Sequence, residues 1–449
     1  MVNNMDTPIC DFVRNYAEKS ALRLHMPGHK GNGPLGIEKL DITEIDGADS
    51  LYEADGIIKK SEENASALFE ANTFYSAEGS SLSIRAMLYL AVLYAKRENK
   101  KPLILAGRNA HKTFINTASM LDFDVEWLYG ENIQSYLSCN ISANYLDEKI
   151  KSMSEKPTAV YITSPDYLGN MVNVEGIADV CHKHKILLLV DNAHGAYLKF
   201  MDKSLHPVDL GADMCCDSAH KTLSVLTGGA YLHISKNIDA LFSENAKMAL
   251  LMFGSTSPSY LILQSLDMAN AYITDEYRFK LSRFSMAVAR CKERLLSRGY
   301  NIIGNEPLKI TVGTKPYGYT GYEIKNILAE KNIVCEFYDD DFIVLMLTHD
   351  IGIEGLKRIE DAFFSLEKKQ SIKAKPPKMH IPERVMSIRE AVLSPNETIS
   401  IEKSEGRILG LSSVGCPPAV PIVVCGERID KTAIENFKYY GIDNVIVVK

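Results

Sequence analysis

Short apolar segments alternate with amphipathic helical patterns between residues 68 and 235, and this alternation limits the possible folds more than any other feature of the chain. Four segments are apolar enough to be strands buried on both faces: residues 102–106, 159–163, 186–190 and 230–234. Helical patterns, such as residues 81–96 and 176–184, lie between them. The alternation predicts an α/β fold whose mostly parallel sheet is covered by helices and binds ligands beyond the carboxyl ends of its strands.

The chain is long enough for further domains after this large one. A helical stretch over residues 258–297 is predicted to lead into a smaller α+β unit, with strands near 308–312 and 342–347 and helices near 322–331 and 353–368. A Lys- and Pro-rich linker over residues 369–382 precedes a tail with predicted strands at 419–424 and 444–448. We therefore predict an N-terminal segment (1–30), a large domain (31–275), a small α+β domain (276–370) and a C-terminal domain (371–449).

The charge balance and the apolar pattern exclude several classes of function. The 50 Lys and Arg residues and 57 Asp and Glu residues give a net charge of −7. The sequence has no block of basic residues of the kind that binds nucleic acid, so nucleic-acid binding is not expected. No apolar run approaches the roughly 20 residues that span a bilayer, and the N-terminus has no signal-peptide pattern. The nine cysteines are scattered, as expected of buried thiols in a reducing compartment, so we expect a cytoplasmic protein.

Two segments contain residues suited to binding an aldehyde cofactor. Residues 217–222 (DSAHKT) place Lys221 before an apolar segment, and a lysine amine can condense with an aldehyde. Asp191 ends the buried strand 186–190, where a carboxylate is costly unless it meets a cation such as a protonated pyridine nitrogen. In isolation, Lys221 could be an ordinary surface lysine and Asp191 a turn or cap residue.

Three further polar segments follow or precede the predicted strands. Residues 76–81 (SAEGSS) combine glycine and small hydroxyl residues at a helix start, which suits either a phosphate or a plain helix cap. His111 follows the strand at 102–106, and the segment 164–169 follows the strand at 159–163. Each is also consistent with a simple loop. Together with Lys221 and Asp191, they point to pyridoxal phosphate.

The ordered set of motifs resembles the bacterial ornithine/lysine/arginine decarboxylases, which are pyridoxal-phosphate enzymes of the aspartate-aminotransferase fold (fold type I). The resemblance rests on residues 24–31 (LHMPGHKG), 108–112 (RNAHK), 191–195 (DNAHG), 218–221 (SAHK) and 255–260 (STSPSY). It continues into the tail at residues 387–391 and covers nearly the whole chain from about residue 20. The chain is similar to the short form of the family, without the N-terminal wing domain. Two residues depart from the family pattern. Asn192 stands where an acidic residue is common, and Tyr197 stands where histidine is frequent.

The resemblance implies a role for each matching residue. Lys221 would bind the cofactor covalently, Asp191 would pair with its pyridine nitrogen, His111 would stack on its ring, and His194 would lie near its phenolic oxygen. The residues implied to bind the phosphate are Gly79, Ser80, Ser81, Ser218 and His220, with Thr256 and Ser257 reaching the phosphate of a partner subunit. The resemblance thus implies a homodimer or higher oligomer with its active site at the subunit interface.

The reaction that the resemblance implies is decarboxylation of a basic L-amino acid to the amine, feeding polyamine synthesis. Arginine is preferred over lysine and ornithine, because short members of the family often act on it. Alternatives are an aminotransferase or a carbon–sulfur lyase of the same fold, or a catalytically inactive relative that still binds the cofactor. Candidate partners for the distal cation of the substrate are six acidic residues: Asp46, Asp49, Glu53, Asp55, Glu402 and Glu405.

The sequence predicts no metal site. His182 and His184 are two residues apart in a predicted helix, so they point to different faces and cannot share one ion. The pair Cys215–Cys216 lacks a second cysteine pair at a suitable spacing.

Overall fold

The computed structural model describes residues 5–131, 135–379, 381–412 and 418–449. It divides into two compact units, and each is described by itself. The first unit comprises residues 1–100, 158–160 and 181–280, and the second comprises residues 101–157, 161–180 and 281–449. The predicted division into four segments stays a prediction. Within the described residues, no helix is both long enough and apolar enough to cross a membrane.

The α-helices of the described residues are α1 Pro8–Glu18, α2 Ile57–Phe69, α3 Gly79–Arg97, α4 Lys112–Leu121, α5 Ala143–Ser152, α6 Val174–Lys183, α7 Ala219–Thr222, α8 Ala240–Glu244, α9 Ala246–Leu251, α10 Tyr260–Tyr272, α11 Asp275–Ser297, α12 Gly321–Glu330, α13 Gly352–Phe364, α14 Ile388–Leu393 and α15 Lys431–Tyr439. The strands are β1 Asn72–Ser76, β2 Leu103–Gly107, β3 Asp124–Leu128, β4 Ala159–Thr163, β5 Leu187–Asp191, β6 Met214–Asp217, β7 Ala230–Ile234, β8 Asn301–Ile303, β9 Lys309–Gly313, β10 Phe337–Tyr338, β11 Phe342–Met346, β12 Asn396–Ser400, β13 Leu409–Leu411 and β14 Asn444–Val448.

The first unit contains four strands in the order β1-β7-β6-β5. Strands β5 and β6 are parallel, whereas β7 runs antiparallel to both β1 and β6. The long helix α3 packs on β6 and β7 with a largely buried face, and Lys96 and Arg97 in its last turn complement the helix dipole. Parallel strands flanked by helices confirm the predicted α/β class.

The second unit contains the parallel pair β2–β3 and two antiparallel sheets. One sheet has the order β10-β11-β9-β8, and the other has the order β12-β14-β13. Capping boxes begin two of its helices, Thr320 with Glu323 at α12 and Ser387 with Glu390 at α14. The strands predicted near 308–312, 342–347 and 444–448 are confirmed within about one residue.

Two predicted elements are wrong. The helical stretch over 258–297 is two helices, because Thr274 begins α11 by accepting a hydrogen bond from the Tyr277 N–H at 3.4 Å. The segment 419–424 is buried but forms no strand. Ala419 has a φ of +57°, and Pro421 has no N–H to donate. The Arg108 guanidinium, not a neighbouring strand, donates to the carbonyls of Pro421 and Ile422.

A buried carboxylate in the second unit makes stability depend on pH. Asp339 follows β10, and its Oδ1 accepts hydrogen bonds from the N–H groups of Asp341 at 2.8 Å and Phe342 at 2.7 Å. Burial, with a smaller contribution from Asp341 and Asp340, raises the pKa of Asp339 from 3.8 to about 6. The folded state therefore binds this proton more tightly than the unfolded state, so Asp339 destabilises the fold as pH rises from about 4 to above 6.

Asp339→Asn should remove this destabilisation, because the amide keeps the Oδ1 acceptor and carries no charge. Between pH 4.5 and 8, the free energy of unfolding of the variant should rise relative to wild type by about 1–3 kcal/mol. Urea unfolding across this pH range measures the difference. The exposed Asp361 on α13 provides the control variant Asp361→Asn. A difference in free energy of unfolding between wild type and Asp339→Asn that stays constant with pH would contradict the prediction.

Candidate active site

Lys221 and His194 meet at one edge of the sheet in the first unit. The parallel strands β5 and β6 are in register at Asp191 and Cys216, so the turns that follow them emerge side by side. The turn after β5 carries His194, and the short helix α7 after β6 carries Lys221. The Lys221 Nζ lies 3.0 Å from the His194 Nε2. A proton can therefore be shared between an amine and an imidazole at this edge.

Asp191 presents a buried carboxylate at the same edge. Its side chain is 2% exposed, and its Oδ1 accepts a hydrogen bond from the Ala193 N–H at 3.2 Å. The Cys216 thiol donates to the same oxygen at 3.6 Å. Burial disfavours the charged form of a carboxylate, so the site favours a cationic partner. A protonated pyridine nitrogen has the required charge.

Three loops converge near the start of α3. The Ser218 Oγ donates to the Ser80 Oγ at 2.6 Å, and the Gly79 N–H donates to the Gly228 carbonyl at 2.7 Å. The His220 Nδ1 lies 3.0 Å from the carbonyl of Gly229, to which it donates as the N–H tautomer. Gly79 has a φ of +72°, which favours glycine at this helix start. Two hydroxyl groups and the first turn of a 19-residue helix fit a phosphate group.

Glu78, the acidic residue just before α3, accepts a hydrogen bond from a different loop. Glu78 is exposed, and its Oε1 accepts a hydrogen bond from the Ser255 N–H at 2.5 Å. Burial lowers the pKa of His220, and the charge of Lys221 lowers it further. His220 is therefore neutral at pH 7 before an anion binds, and a phosphate dianion would favour its protonated form. The donor set of the first unit thus fits pyridoxal phosphate.

Four other residues were predicted to contact the cofactor: Ser81, His111, Thr256 and Ser257. Ser81 lies in the first turn of α3, and Thr256 and Ser257 lie exposed in the loop between α9 and α10. His111, in the second unit, is the N-cap of α4, and its Nδ1 accepts a hydrogen bond from the Thr113 N–H at 3.1 Å. The predicted contacts of all four residues with a cofactor stay predictions.

A buried hydrogen-bond network around Asp217, next to Asp191, was not predicted from the sequence. The Asn192 Nδ2 donates to the Asp217 Oδ1 at 2.6 Å, while the Nε2 atoms of His206 and His233 lie 3.0 and 3.2 Å from the Asp217 Oδ2. Burial alone would raise the pKa of Asp217, but the two imidazoles hold it well below its usual value. The unusual Asn192 was the available signal, because an amide beside Asp191 needs a buried acceptor.

Ser218→Ala should weaken binding of pyridoxal phosphate by about ten- to a hundredfold, because a hydrogen bond to a charged group contributes about 1.5–3 kcal/mol. Titrating the cofactor-free protein and following the absorbance of the cofactor gives the dissociation constant. Ser243→Ala is the matched control, since Ser243 is partly buried on α8 and its hydroxyl donates to the Ala240 carbonyl. Equal dissociation constants for Ser218→Ala and Ser243→Ala would exclude Ser218 from the phosphate site.

Comparisons with known proteins agree with this geometry. The family profile described as Orn/Lys/Arg decarboxylase, major domain, matches residues 7–311. An arginine decarboxylase of Bacillus subtilis is 26% identical, and the alignment covers 97% of this chain and 93% of the relative. An uncharacterised B. subtilis protein, YaaO, is 28% identical over 96% of this chain and 94% of its own length.

Two solved structures show the same fold. The lysine decarboxylase LdcF of Francisella novicida superposes with a TM-score of 0.80 at 17% identity, covering 100% of this chain and 82% of that one. The constitutive lysine decarboxylase of E. coli gives a TM-score of 0.78 at 18% identity, with the same coverage. These similarities confirm the predicted aspartate-aminotransferase-like fold.

Proposed function

Because this chain belongs to the Orn/Lys/Arg decarboxylase family, whose members are pyridoxal-phosphate-dependent amino-acid decarboxylases, we propose that it decarboxylates a basic L-amino acid, with arginine preferred. The observation that carries the proposal is the 3.0 Å contact of the Lys221 Nζ with the His194 Nε2, at the sheet edge where Asp191 is buried. The arginine decarboxylases among the relatives support the choice of substrate.

Lys221 and His194 are proposed to bind the reactants and handle the proton. When bound, pyridoxal phosphate supplies a ring that accepts the electron pair released as CO₂ leaves. The Lys221 amine is the nucleophile that the cofactor aldehyde requires, and its Nζ can return a proton to the substrate Cα. The His194 Nε2 lies close enough to Lys221 to hold that proton or to take it up.

Asp191 and the hydroxyl residues are proposed to orient the cofactor. The Asp191 carboxylate would hold a proton on the pyridine nitrogen, because a buried carboxylate is stabilised by a cation beside it. Ser80 and Ser218, with the N–H groups of the first turn of α3, would bind the phosphate. His111 would cover one face of the ring, and Thr256 and Ser257 would reach the phosphate of a partner subunit in a homodimer.

The structure removes one candidate for the distal cation of the substrate. The carboxylate of Asp49 is buried and accepts hydrogen bonds from the N–H groups of Gly56 at 2.9 Å and Ile58 at 2.8 Å, at the start of α2. Asp49 therefore caps a helix. Asp46, Glu53 and Asp55 of the same unit are exposed and remain candidates.

Incubation with pyridoxal phosphate and each of arginine, lysine and ornithine tests the proposal. We expect CO₂ and the corresponding amine in equal amounts, with kcat/KM about tenfold or more higher for arginine than for lysine and ornithine. A keto acid in place of the amine would instead support an aminotransferase. Cofactor binding without any product would support the catalytically inactive alternative.

A further inference from the structure

Four potential metal ligands converge in the interior of the first unit, outside the candidate active site. Asp217 and Cys215 lie two residues apart on β6, so their side chains share one face of the sheet. His233 is directly opposite Cys215 on the neighbouring strand β7, and His206 comes from the segment before β6. All four residues are 0% exposed.

We propose that these four side chains bind a zinc ion through the His206 Nε2, the His233 Nε2, the Asp217 Oδ2 and the Cys215 Sγ. The two Nε2 atoms lie 3.0 and 3.2 Å from the Asp217 Oδ2, and the Cys215 Sγ lies 3.9 Å from the His206 Nε2. Ligand atoms of tetrahedral Zn²⁺ are about 3.3 Å apart for nitrogen and oxygen and about 3.6 Å apart for nitrogen and sulfur. These three separations therefore differ from the tetrahedral values by only a few tenths of an ångström.

The charges of this ligand set balance those of the ion. One carboxylate and one thiolate neutralise Zn²⁺ when both imidazoles are neutral, so the buried site carries no net charge. Binding releases the Cys215 thiol proton to solvent, and each imidazole carries its proton on Nδ1. The Nδ1 of His233 lies 2.9 Å from the Thr73 Oγ1, which can accept it. Within the described chain, the Nδ1 of His206 has no hydrogen-bond partner, so it is available to carry the proton that leaves Nε2 when the metal replaces the hydrogen bond to Asp217.

The surroundings favour a structural ion over a catalytic one. The Asn192 amide occupies the second oxygen of Asp217, which leaves one carboxylate oxygen for the metal. The Phe69 ring packs against both imidazoles, with ring centroids 5.6 Å from His206 and 4.4 Å from His233. A fully buried site with four protein ligands has no open position for a substrate. The ion would fasten β6 to β7 and, through Asn192, hold the turn that carries Asp191 and His194.

Metal analysis of the purified full-length protein tests the proposal without reference to catalysis. The protein is produced in zinc-supplemented medium, freed of any affinity tag and dialysed against a weak chelator. We expect about one zinc ion per chain, and zinc-edge X-ray absorption should show one sulfur among four ligands. Zinc below about a tenth of an ion per chain would overturn the proposal and identify the cluster as a hydrogen-bonded network without metal.

Two variants assign the ion to this cluster. His206→Gln should lower the zinc content at least tenfold, and Cys215→Ser should remove the sulfur signal from the absorption spectrum. His182→Ala is the matched control, because the His182 Nε2 also lies beside an aspartate, 3.2 Å from the Asp213 Oδ2, but outside the cluster. Retained zinc in a folded His206→Gln protein, or lost zinc in His182→Ala, would place the ion elsewhere and overturn the assignment. If His206→Gln does not fold, the sulfur signal of the wild-type protein decides.

Discussion

Lys221→Ala is expected to lower kcat for decarboxylation by about a thousandfold or more, because Lys221 is proposed both to bond to the cofactor and to transfer a proton. Its side chain is only partly buried, so we expect the variant to fold normally. Two measurements check the result: the rate of CO₂ release, and the loss of the absorbance that a covalently bound cofactor gives the wild-type protein. A small primary amine in the buffer should restore part of the activity, since it replaces the missing group.

Lys203→Ala is the control for this variant. Lys203 is exposed in the same unit and lies 18 residues before Lys221, so its removal should change neither the rate nor the absorbance. Lys221→Ala that retains more than about a tenth of the wild-type rate would exclude Lys221 as the cofactor lysine. Failure of added amines to restore any activity would indicate that the side chain is needed for the structure of the site instead.

Four strands between residues 100 and 235 could be predicted from sequence because each is buried along almost its whole length, whereas β1, β3 and β6 were not predicted. The observed strands β2, β4, β5 and β7 lie within one residue of the predicted segments. Asp191 could be placed in a turn for the same reason, because it ends one of these strands, whereas β6, which precedes Lys221, was not among the predicted segments. The same rule failed at residues 419–424, where burial comes without strand pairing because the Arg108 guanidinium binds the carbonyls.

The cluster around Asp217 had no signal in sequence spacing. His206, Asp217 and His233 are 11 and 16 residues apart and come from a loop and two strands. Only the antiparallel register of β6 and β7 brings Asp217 and His233 together, and register is not a local property of sequence. Cysteine pairs and helical histidine spacings are local patterns, and in this chain they predict no metal site. The cluster becomes visible only when β6 and β7 are paired in the folded chain.

Asp191→Ala is expected to lower kcat by about a hundredfold to ten-thousandfold while KM for the amino acid changes much less. The carboxylate would act by keeping the pyridine nitrogen protonated. Loss of Asp191 would therefore raise the energy of the transition state, in which the ring carries extra electrons, more than it weakens substrate binding. Steady-state kinetics with the preferred amino acid give both constants. The loops at Gly79 and Ser218, which are proposed to bind the phosphate, do not involve Asp191, so the variant should still bind the cofactor.

A cofactor analogue separates this electrostatic role of Asp191 from a purely structural one. Pyridoxal phosphate methylated at the ring nitrogen keeps its positive charge without a carboxylate partner, and Asp191→Ala leaves space for the methyl group. The analogue should therefore raise kcat of Asp191→Ala by at least about tenfold and should not do so for the wild-type protein. Asp239→Asn, on the exposed N-cap of α8, should behave as wild type with both cofactors. An analogue that leaves Asp191→Ala as slow as before would mean that Asp191 acts by holding the turn, not by holding a charge.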